Sequence, residues 1–249
     1  MILPGIVSIT FKTKSIEEVL KITKQAGLAA IEWSENHHIV KGDIESAKKT
    51  ALLTKEYGLE IAGYGSYYRL GENMDITPSL ETAKALGTNN VRIWAGSKPS
   101  TDLSIEERES LIAELADAVK LASQYDIVLN LEWHKNTLTD KNESGLDVLK
   151  RINSPNLHTL WQPTQALTFD ERKSGLKQIL PYLSYLHVFY WDEKGRRPFE
   201  EGIDMWKEYF SYLEKDKKYY ALLEFVLGDS EEQFNKDAAI LKDLLQKGV

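Results

Sequence analysis

Four apolar segments in the second half of the chain end in polar side chains that could bind a metal or move a proton. These side chains and their segments are Glu132 in NLEWH, Gln162 in LWQP, His187 in LHVFYW and Glu224 in LLEFV. Burying a charge is costly unless the charge is paired or bound to a metal. If the segments are neighbouring parallel strands of a closed barrel, their ends converge at one mouth. We therefore predict a divalent-metal site made by these four side chains, with the two glutamates also available for proton transfer.

Strand-like apolar runs alternate with helical patterns along the whole chain, which is typical of a parallel sheet with helical crossovers. Eight such units in 249 residues match the size of a (β/α)8 barrel. A doubly wound sheet is the competing fold, but no glycine-rich phosphate motif follows the first strand. We predict an α/β fold, a single (β/α)8 TIM barrel spanning residues 1–249, with strands near residues 5–10, 29–34, 60–66, 90–96, 127–134, 157–163, 183–191 and 219–227.

The composition argues against several classes of function. The net charge is -7 and there is no basic run, which argues against nucleic-acid binding. The chain has no Cys, so disulfides, thiolate catalysis and Cys-ligated zinc are excluded. No apolar run approaches the ~20 residues of a membrane span, and the N-terminal MILPGIVSITFK is typical of a first strand, not of a signal peptide. We therefore expect no membrane partner and a cytoplasmic location.

Successive side chains of a strand point to opposite faces, so parity predicts which ones face the barrel interior. The four predicted metal ligands have the parity that allows them to face one mouth. Glu32 on strand two and Arg92 on strand four also face inward, and we interpret them as a buried ion pair. Three tryptophans have the opposite parity and are expected between strands and helices, namely Trp33, Trp133 and Trp161.

Several segments resemble those of the xylose isomerase-like TIM-barrel superfamily, which contains sugar isomerases, ketose 3-epimerases, inosose dehydratases and endonuclease IV. The resemblance covers nearly the whole chain. Within the superfamily, the segments most resemble proteins of the sugar phosphate isomerase/epimerase type. It is clearest in AAIEWSENHH, GYGSYYRLGE, VRIWAG and LNLEWHKNTLTD.

The resemblance implies one divalent metal ion, because members of the superfamily bind a metal through Glu, Asp, His and Glu at the ends of strands five to eight. Glu132, His187 and Glu224 match three of these positions. At strand six this chain has Gln162 and Gln165 where the family has Asp and His. An amide oxygen can bind a hard cation but brings no charge, so we expect weak binding of Mn, Co, Mg or Zn.

The resemblance also implies that Glu132 and Glu224 transfer the protons. Trp94 and Trp191 lie near strand ends, where indole faces suit the C–H edges of a sugar. An Arg after the strand-seven His often contacts substrate in this superfamily, and its planar fork suits a carboxylate or phosphate. The predicted substrate contacts are His134, Trp94, Trp191, Arg196, Arg197, Tyr68 and Lys98.

The predicted function is a metal-dependent isomerase or epimerase of a sugar or sugar phosphate, acting by proton transfer beside a carbonyl through an enediolate. An inosose dehydratase-like lyase and a non-catalytic sugar-binding barrel are the alternatives. Five histidines and a net charge of -7 argue against an endonuclease IV-like activity. The expected partner is a small-molecule sugar, and a homo-oligomer is left open.

Overall fold

The computed structural model describes residues 1–247, in which eight parallel strands close into a barrel. Two short antiparallel strands, β8 (Tyr190–Asp192) and β9 (Gly195–Arg197), form a separate hairpin. The predicted α/β fold and TIM barrel are therefore confirmed. The barrel strands are β1 (Ile2–Val7), β2 (Ala30–Ser34), β3 (Glu60–Arg69), β4 (Asn90–Trp94), β5 (Val128–Leu131), β6 (Leu157–Trp161), β7 (Leu183–Val188) and β10 (Tyr219–Leu223).

An α-helix follows each barrel strand, as the alternating sequence pattern predicts. Ser15 and Ser104 begin the first and fourth helices with complete capping boxes. In each, the Ser hydroxyl accepts from the backbone N–H of the Glu three residues later, and that Glu side chain accepts from the backbone N–H of the Ser. In the described part of the chain, no helix is both long enough and apolar enough to span a bilayer. The helices are α1 (Ile16–Gln25), α2 (Ile44–Glu56), α3 (Thr77–Leu86), α4 (Ile105–Ser123), α5 (Asn142–Ile152), α6 (Phe169–Ile179), α7 (Ile203–Ser211) and α8 (Glu231–Gln246).

The strand bounds differ from the prediction mainly at the carboxyl ends. Glu132, Gln162 and Glu224 each lie one residue beyond their strand, whereas His187 lies within β7. Five predicted strands, those of β4, β5, β6, β7 and β10, extend too far because apolar residues continue into the buried loops, whereas β3 continues three residues beyond its predicted end, to Arg69. The backbone N–H groups of Glu132 and Glu224 still donate to carbonyl oxygens of the neighbouring strands at 3.0 Å, so both residues are held at the barrel mouth.

The first strand was predicted at residues 5–10 but occupies Ile2–Val7. Residues Ser8–Phe11 form a 3₁₀ turn, in which Ser8, Thr10 and Phe11 are buried. The apolar pattern therefore continues past the point where the ladder of β1 stops, and burial alone does not distinguish the strand from the turn.

Two apolar layers enclose the strands. Trp33, Trp133 and Trp161 are fully buried on the helix side, which confirms the prediction from parity. Trp33 Nε1 donates to Thr54 Oγ1 on α2 at 3.3 Å. The Trp161 ring lies 6.2 Å from that of Trp206 on α7. The barrel interior contains a smaller apolar cluster of Val7, Ala30, Ala62, Leu160, Tyr185 and Leu222.

Gly5 lies where β1 passes closest to both neighbouring strands. A Cβ added there would lie 2.4 Å from Ala30 O and 2.6 Å from Leu222 Cδ2. Gly5 pairs with Ala30 and Leu222 in the barrel register, so the backbone cannot move away without breaking the ladder. We expect Gly5→Ala to reduce the free energy of unfolding by about 1–3 kcal/mol through overpacking. Urea unfolding measures this change, and a variant as stable as the wild type would contradict the tight closure of the barrel at β1.

Candidate active site

A cavity of about 200 Å³ opens at the carboxyl ends of the barrel strands, where (β/α)8 enzymes carry their active sites. Three carboxylates line it, and each belongs to a residue that is at most 7% exposed. They are Glu32, Glu132 and Glu224. Because buried carboxylates need compensating charge or hydrogen bonds, the partners of these three groups determine the chemistry available to the site.

Glu132 is bound on both carboxylate oxygens. Arg92 Nη1 donates to Glu132 Oε2 at 2.7 Å, and both side chains are buried. Gln162 Nε2 donates to Glu132 Oε1 at 3.1 Å. Burial would lower the pKa of the Arg92 guanidinium, but Glu132 and Glu32 outweigh that effect and raise its pKa. Arg92 is thus a permanent buried cation at the mouth of the barrel.

His187 lies between the other two carboxylates and is completely buried. Its Nε2 is 3.1 Å from Glu32 Oε2, and its Nδ1 is 3.4 Å from Glu224 Oε2. Burial would lower the pKa of His187, but Glu224 and Glu32 outweigh burial and raise it to about 10. Burial would likewise raise the pKa of Glu32, yet His187 and Arg92 hold it below its usual value.

These pairings differ from the ion pair predicted between Glu32 and Arg92. Both residues do face the barrel interior, as parity indicates, but each is paired with a residue of the predicted metal site. Arg92 pairs with Glu132 on the adjacent strand, and Glu32 pairs with His187 across the barrel. Parity specifies the face of a strand, but it does not specify which inward side chains meet.

Gly65 on β3 provides the space for the Glu32 carboxylate. A Cβ at this position would lie 2.7 Å from Glu32 Oε1 and 3.1 Å from Arg92 Nη2. Two residues earlier on the same strand, Gly63 has its nearest neighbour at 3.4 Å, which is an ordinary contact. The absence of a side chain at residue 65 therefore allows the Glu32 carboxylate and the Arg92 guanidinium, which come from different strands, to approach the same point.

The turn after Glu224 holds an unusual backbone conformation. Phe225 has a φ of 53°, and a bulky residue rarely adopts this left-handed region. Thr10 Oγ1 accepts a hydrogen bond from Phe225 N at 3.2 Å and donates to Leu223 O at 3.4 Å. Thr10 thus supports the backbone on both sides of Glu224, and the Phe225 ring reaches the cavity wall.

Aromatic rings form two walls of the cavity. On one side the Trp94 ring lies 4.6 Å from the His134 ring in an edge-on arrangement, and Trp94 lies near the guanidinium of Arg92. On the other side Trp191 packs against Phe189 and Phe225 at 5.2 Å and 6.2 Å between ring centroids. The cavity therefore combines a carboxylate-rich floor with apolar side walls.

Six of the predicted metal ligands and substrate contacts line this cavity. They come from five different strand ends and loops that are far apart in the sequence, and the barrel fold brings them together. His187 lies beneath them, in contact with Glu224. The six are Glu132, Gln162, Glu224, His134, Trp94 and Trp191.

Four predicted substrate contacts lie elsewhere. Tyr68 is 3% exposed and its hydroxyl donates to Glu114 Oε1 on α4 at 2.9 Å, so it faces the helices. Lys98 forms a salt bridge of 2.6 Å with Glu107 at the start of α4. The remaining two, Arg196 and Arg197, are bound by carboxylates near the β8–β9 hairpin and are not among the lining residues.

Tyr67 lines the cavity in place of Tyr68. β3 extends to Arg69, so both tyrosines lie within the strand, where Tyr67 shares the inward face of Gly65 and Tyr68 has the opposite parity. Sequence reasoning also missed Phe189 and Phe225 as wall residues. Phe189 could have been predicted, because parity places it on the same face as His187. Phe225 could not, because parity does not apply to the left-handed turn in which it lies.

The donor set at the cavity floor fits a divalent cation. Among the buried atoms that have no hydrogen-bond partner are His187 Nδ1 and Gln162 Oε1. The pairing of Trp161 with Leu186 places Gln162 beside His187 in the barrel register, and Glu224 is close to His187. Within residues 1–247 no three Asp, Glu, His or Cys side chains are grouped as a metal site. A cation site here would need the amide oxygen of Gln162 beside His187 and Glu224, since Glu132 is bound on both oxygens.

The chain belongs to the xylose isomerase-like TIM barrel family, whose sequence model matches residues 20–244. A curated relative, the 3-dehydroshikimate dehydratase of Bacillus anthracis, is 23% identical over 261 aligned positions that cover 91% of each chain. A solved structure described as "probable 3-DHS dehydratase AsbF" from the same organism has a TM-score of 0.80 and 20% identity, with 97% of this chain and 99% of that chain covered.

Other solved structures share the barrel at lower identity. The 3-keto-D-glucoside 4-epimerase YcjR from E. coli has a TM-score of 0.74 and 14% identity, covering 99% of this chain and 100% of its own. The IolI protein with a bound zinc atom has a TM-score of 0.71 and 15% identity, covering 99% of both chains. These relatives include a dehydratase, an epimerase and a metal-binding protein. Sequence identities of this size show that the proteins share a fold.

We expect Gly65→Ala to destabilise the protein by about 1–3 kcal/mol, because the new methyl group would displace Glu32 from its buried position beside His187. Gly63→Ala is the matched control on the same strand and should have a smaller effect, since its nearest neighbour is 3.4 Å away. Chemical denaturation of the two variants measures the difference. Equal losses of stability would show that the Glu32 carboxylate does not need the space at residue 65.

Proposed function

We propose that the protein is a metal-dependent sugar isomerase or epimerase that transfers a proton beside a carbonyl group through an enediolate. The observation that supports this proposal most directly is that Glu132 and Glu224 line one cavity from different sides of the barrel mouth. Interconversion of ketose epimers needs one group that removes a proton and another that returns one. Two carboxylates on a shared cavity provide both.

The two carboxylates differ in their surroundings, which suggests different roles. Glu224 has His187 Nδ1 at 3.4 Å as its nearest cation and accepts no closer side-chain hydrogen bond among the described residues. Its carboxylate is the less constrained of the two, and we assign it the removal of the proton. Glu132 is held in place by Arg92 and Gln162. We assign it the second proton transfer, with Arg92 keeping its carboxylate oriented.

The residues that would hold a divalent cation are Glu224, His187 and Gln162, with Glu132 as a fourth ligand if it exchanged its bond to Gln162. Such a cation supplies positive charge beside the oxygens of the substrate, where negative charge develops when the proton leaves. The Arg92 guanidinium, bound to Glu132 at 2.7 Å, adds a fixed positive charge to the same region. The second nitrogen of His187 is held by Glu32, and this contact orients the ring.

A dehydratase is the second candidate, and the relative from Bacillus anthracis supports it. Removal of a proton beside a carbonyl is the first step of both reactions, and a dehydratase then protonates a leaving hydroxyl instead of returning the proton to carbon. Glu132 or His134 would be available as the acid on the cavity wall. Product analysis by NMR distinguishes the two reactions, because dehydration releases water and forms a conjugated carbonyl.

We expect Glu224→Gln to reduce solvent deuterium exchange beside the carbonyl of a ketose substrate by about 10²–10⁴-fold, since the amide cannot act as a base. The assay follows exchange by NMR over a panel of ketoses with added manganese, cobalt or magnesium. Glu232→Gln, at an exposed position of α8, is the control that should leave exchange unchanged. Undiminished exchange in Glu224→Gln would remove this residue from the proposed mechanism, and no exchange by the wild type with any ketose would contradict the proposed function.

We expect Gln162→Asp to tighten binding of Mn²⁺ by about tenfold or more, because a carboxylate would add a negative charge among the proposed ligands. Gln165→Asp, at an exposed position on the rim, is the matched control and should change the affinity less. Equilibrium dialysis of metal-stripped protein measures both affinities independently of activity. Weaker or equal binding by Gln162→Asp would contradict the proposed ligand set.

A further inference from the structure

The buried part of the cavity carries an excess of negative charge. Glu32, Glu132 and Glu224 contribute three carboxylates, and Arg92 is the buried permanent cation among the described lining residues. Arg92 Nη1 is already bound to Glu132 Oε2 at 2.7 Å. With His187 as a neutral metal ligand, two carboxylates are in excess, and a bound divalent cation would bring the sum to zero. An anionic substrate group would meet no surplus of positive charge on the cavity floor.

The loops that commonly bind phosphate in (β/α)8 barrels follow strands seven and eight. In this chain the arginines of the first loop are neutralised by carboxylates. Arg196 pairs with Asp229, which lies in the loop after the last barrel strand. Arg197 Nη2 lies 2.9 Å from Glu201 Oε2, and its Nε lies 3.5 Å from Asp192.

The start of α8, beside this loop, carries two carboxylates that are themselves paired, Glu231 with Lys14 and Glu232 with Lys236. Its first turn carries Glu231 and Glu232, and Ser230 caps the helix with its own side chain. The N-terminal end of a helix favours anions, but here the protein's own carboxylates already occupy that favourable position. Lys135 is the other cation of the cavity lining in the described part of the chain, and it is exposed at the rim, where water and salt screen its charge.

The walls of the cavity suit an uncharged polyhydroxylated molecule. Trp94 lies on one wall and Trp191 on the other, and each offers an indole ring to the C–H edges of a substrate. Carboxylates on the floor accept hydrogen bonds from hydroxyl groups, and such charge-assisted bonds are roughly twice as strong as neutral ones. A neutral ketose satisfies both requirements without adding charge to the site.

We propose that the substrate is an uncharged polyhydroxylated ketone that carries neither a phosphate nor a carboxylate group. This inference rests on the proposed function and narrows it to unphosphorylated substrates. It also separates this chain from its curated relative in substrate class, since 3-dehydroshikimate carries a carboxylate. If the reaction is a dehydration, its substrate is an uncharged cyclic or open-chain polyol ketone.

The test compares matched pairs of substrates on the magnesium-loaded or manganese-loaded protein. The pairs are fructose with fructose 6-phosphate, ribulose with ribulose 5-phosphate, and xylulose with xylulose 5-phosphate, and 3-dehydroshikimate is assayed beside them. In the pair that exchanges solvent deuterium fastest, we expect the free ketose to have a kcat/KM at least tenfold above that of its phosphate. A higher value for a phosphate ester, or for 3-dehydroshikimate, overturns the inference while leaving the proton-transfer function intact. Absence of exchange with every compound contradicts the proposed function itself, and the inference falls with it.

The variant Asp229→Asn tests whether the pairing of Arg196 with Asp229 causes the discrimination against phosphate esters. Asp229 has a φ of 50°, a conformation that asparagine adopts readily, and it is exposed, so the substitution should not disturb the fold. Loss of its charge releases Arg196, whose guanidinium lies 4.6 Å from the Phe225 ring at the cavity wall. We expect a severalfold gain in kcat/KM for the phosphate ester and no change for the free ketose.

The double variant Asp229→Asn with Arg196→Met is the matched control, and it should lose that gain because the released cation is gone. An unchanged ratio of the two substrates in Asp229→Asn would show that the paired arginine does not exclude phosphate, and would overturn this explanation of the specificity.

Discussion

The structure of the barrel mouth depends on keeping three carboxylates buried around one cavity. Each isolated buried carboxylate would cost far more than the fold can offset, so the protein supplies a partner for every one. Arg92 binds Glu132, and His187 bridges Glu32 and Glu224. The first pairing joins neighbouring strands, whereas the contact of His187 with Glu32 joins strands that are not neighbours and requires the closed barrel.

Holding these charges in place requires unusual local structure around them. Gly65 omits a side chain so that Glu32 and Arg92 can approach the same point. Phe225 adopts a left-handed backbone directly after Glu224, and Thr10 from the first βα loop binds the backbone on either side of it. Strained or crowded positions of this kind persist where the surrounding structure over-determines them. Here Phe225 and Thr10 flank the carboxylate to which we assign proton removal, and Gly65 accommodates the Glu32 carboxylate that contacts His187.

The same charges restrict what the cavity can bind. The arginines nearest the mouth are already paired with carboxylates, and the aromatic walls carry no charge. Proteins with this barrel include an epimerase and a dehydratase, so the barrel itself does not select a reaction. Selection must come from the polar groups on the floor and from the walls above them.

The sequence alone determined the strand–helix alternation, the outward packing of three tryptophans and the arrival of Glu132, Gln162 and Glu224 at one mouth. These features follow from periodicity, because a strand of known direction sends alternate side chains to a known face. Only the tertiary structure decided which side chains at the barrel mouth pair with one another. Glu32 meets His187 across 155 residues of sequence, and β3 extends to Arg69, so that Tyr67 and not Tyr68 lines the cavity. The stagger of a closed barrel sets these distances, and no local pattern encodes the stagger.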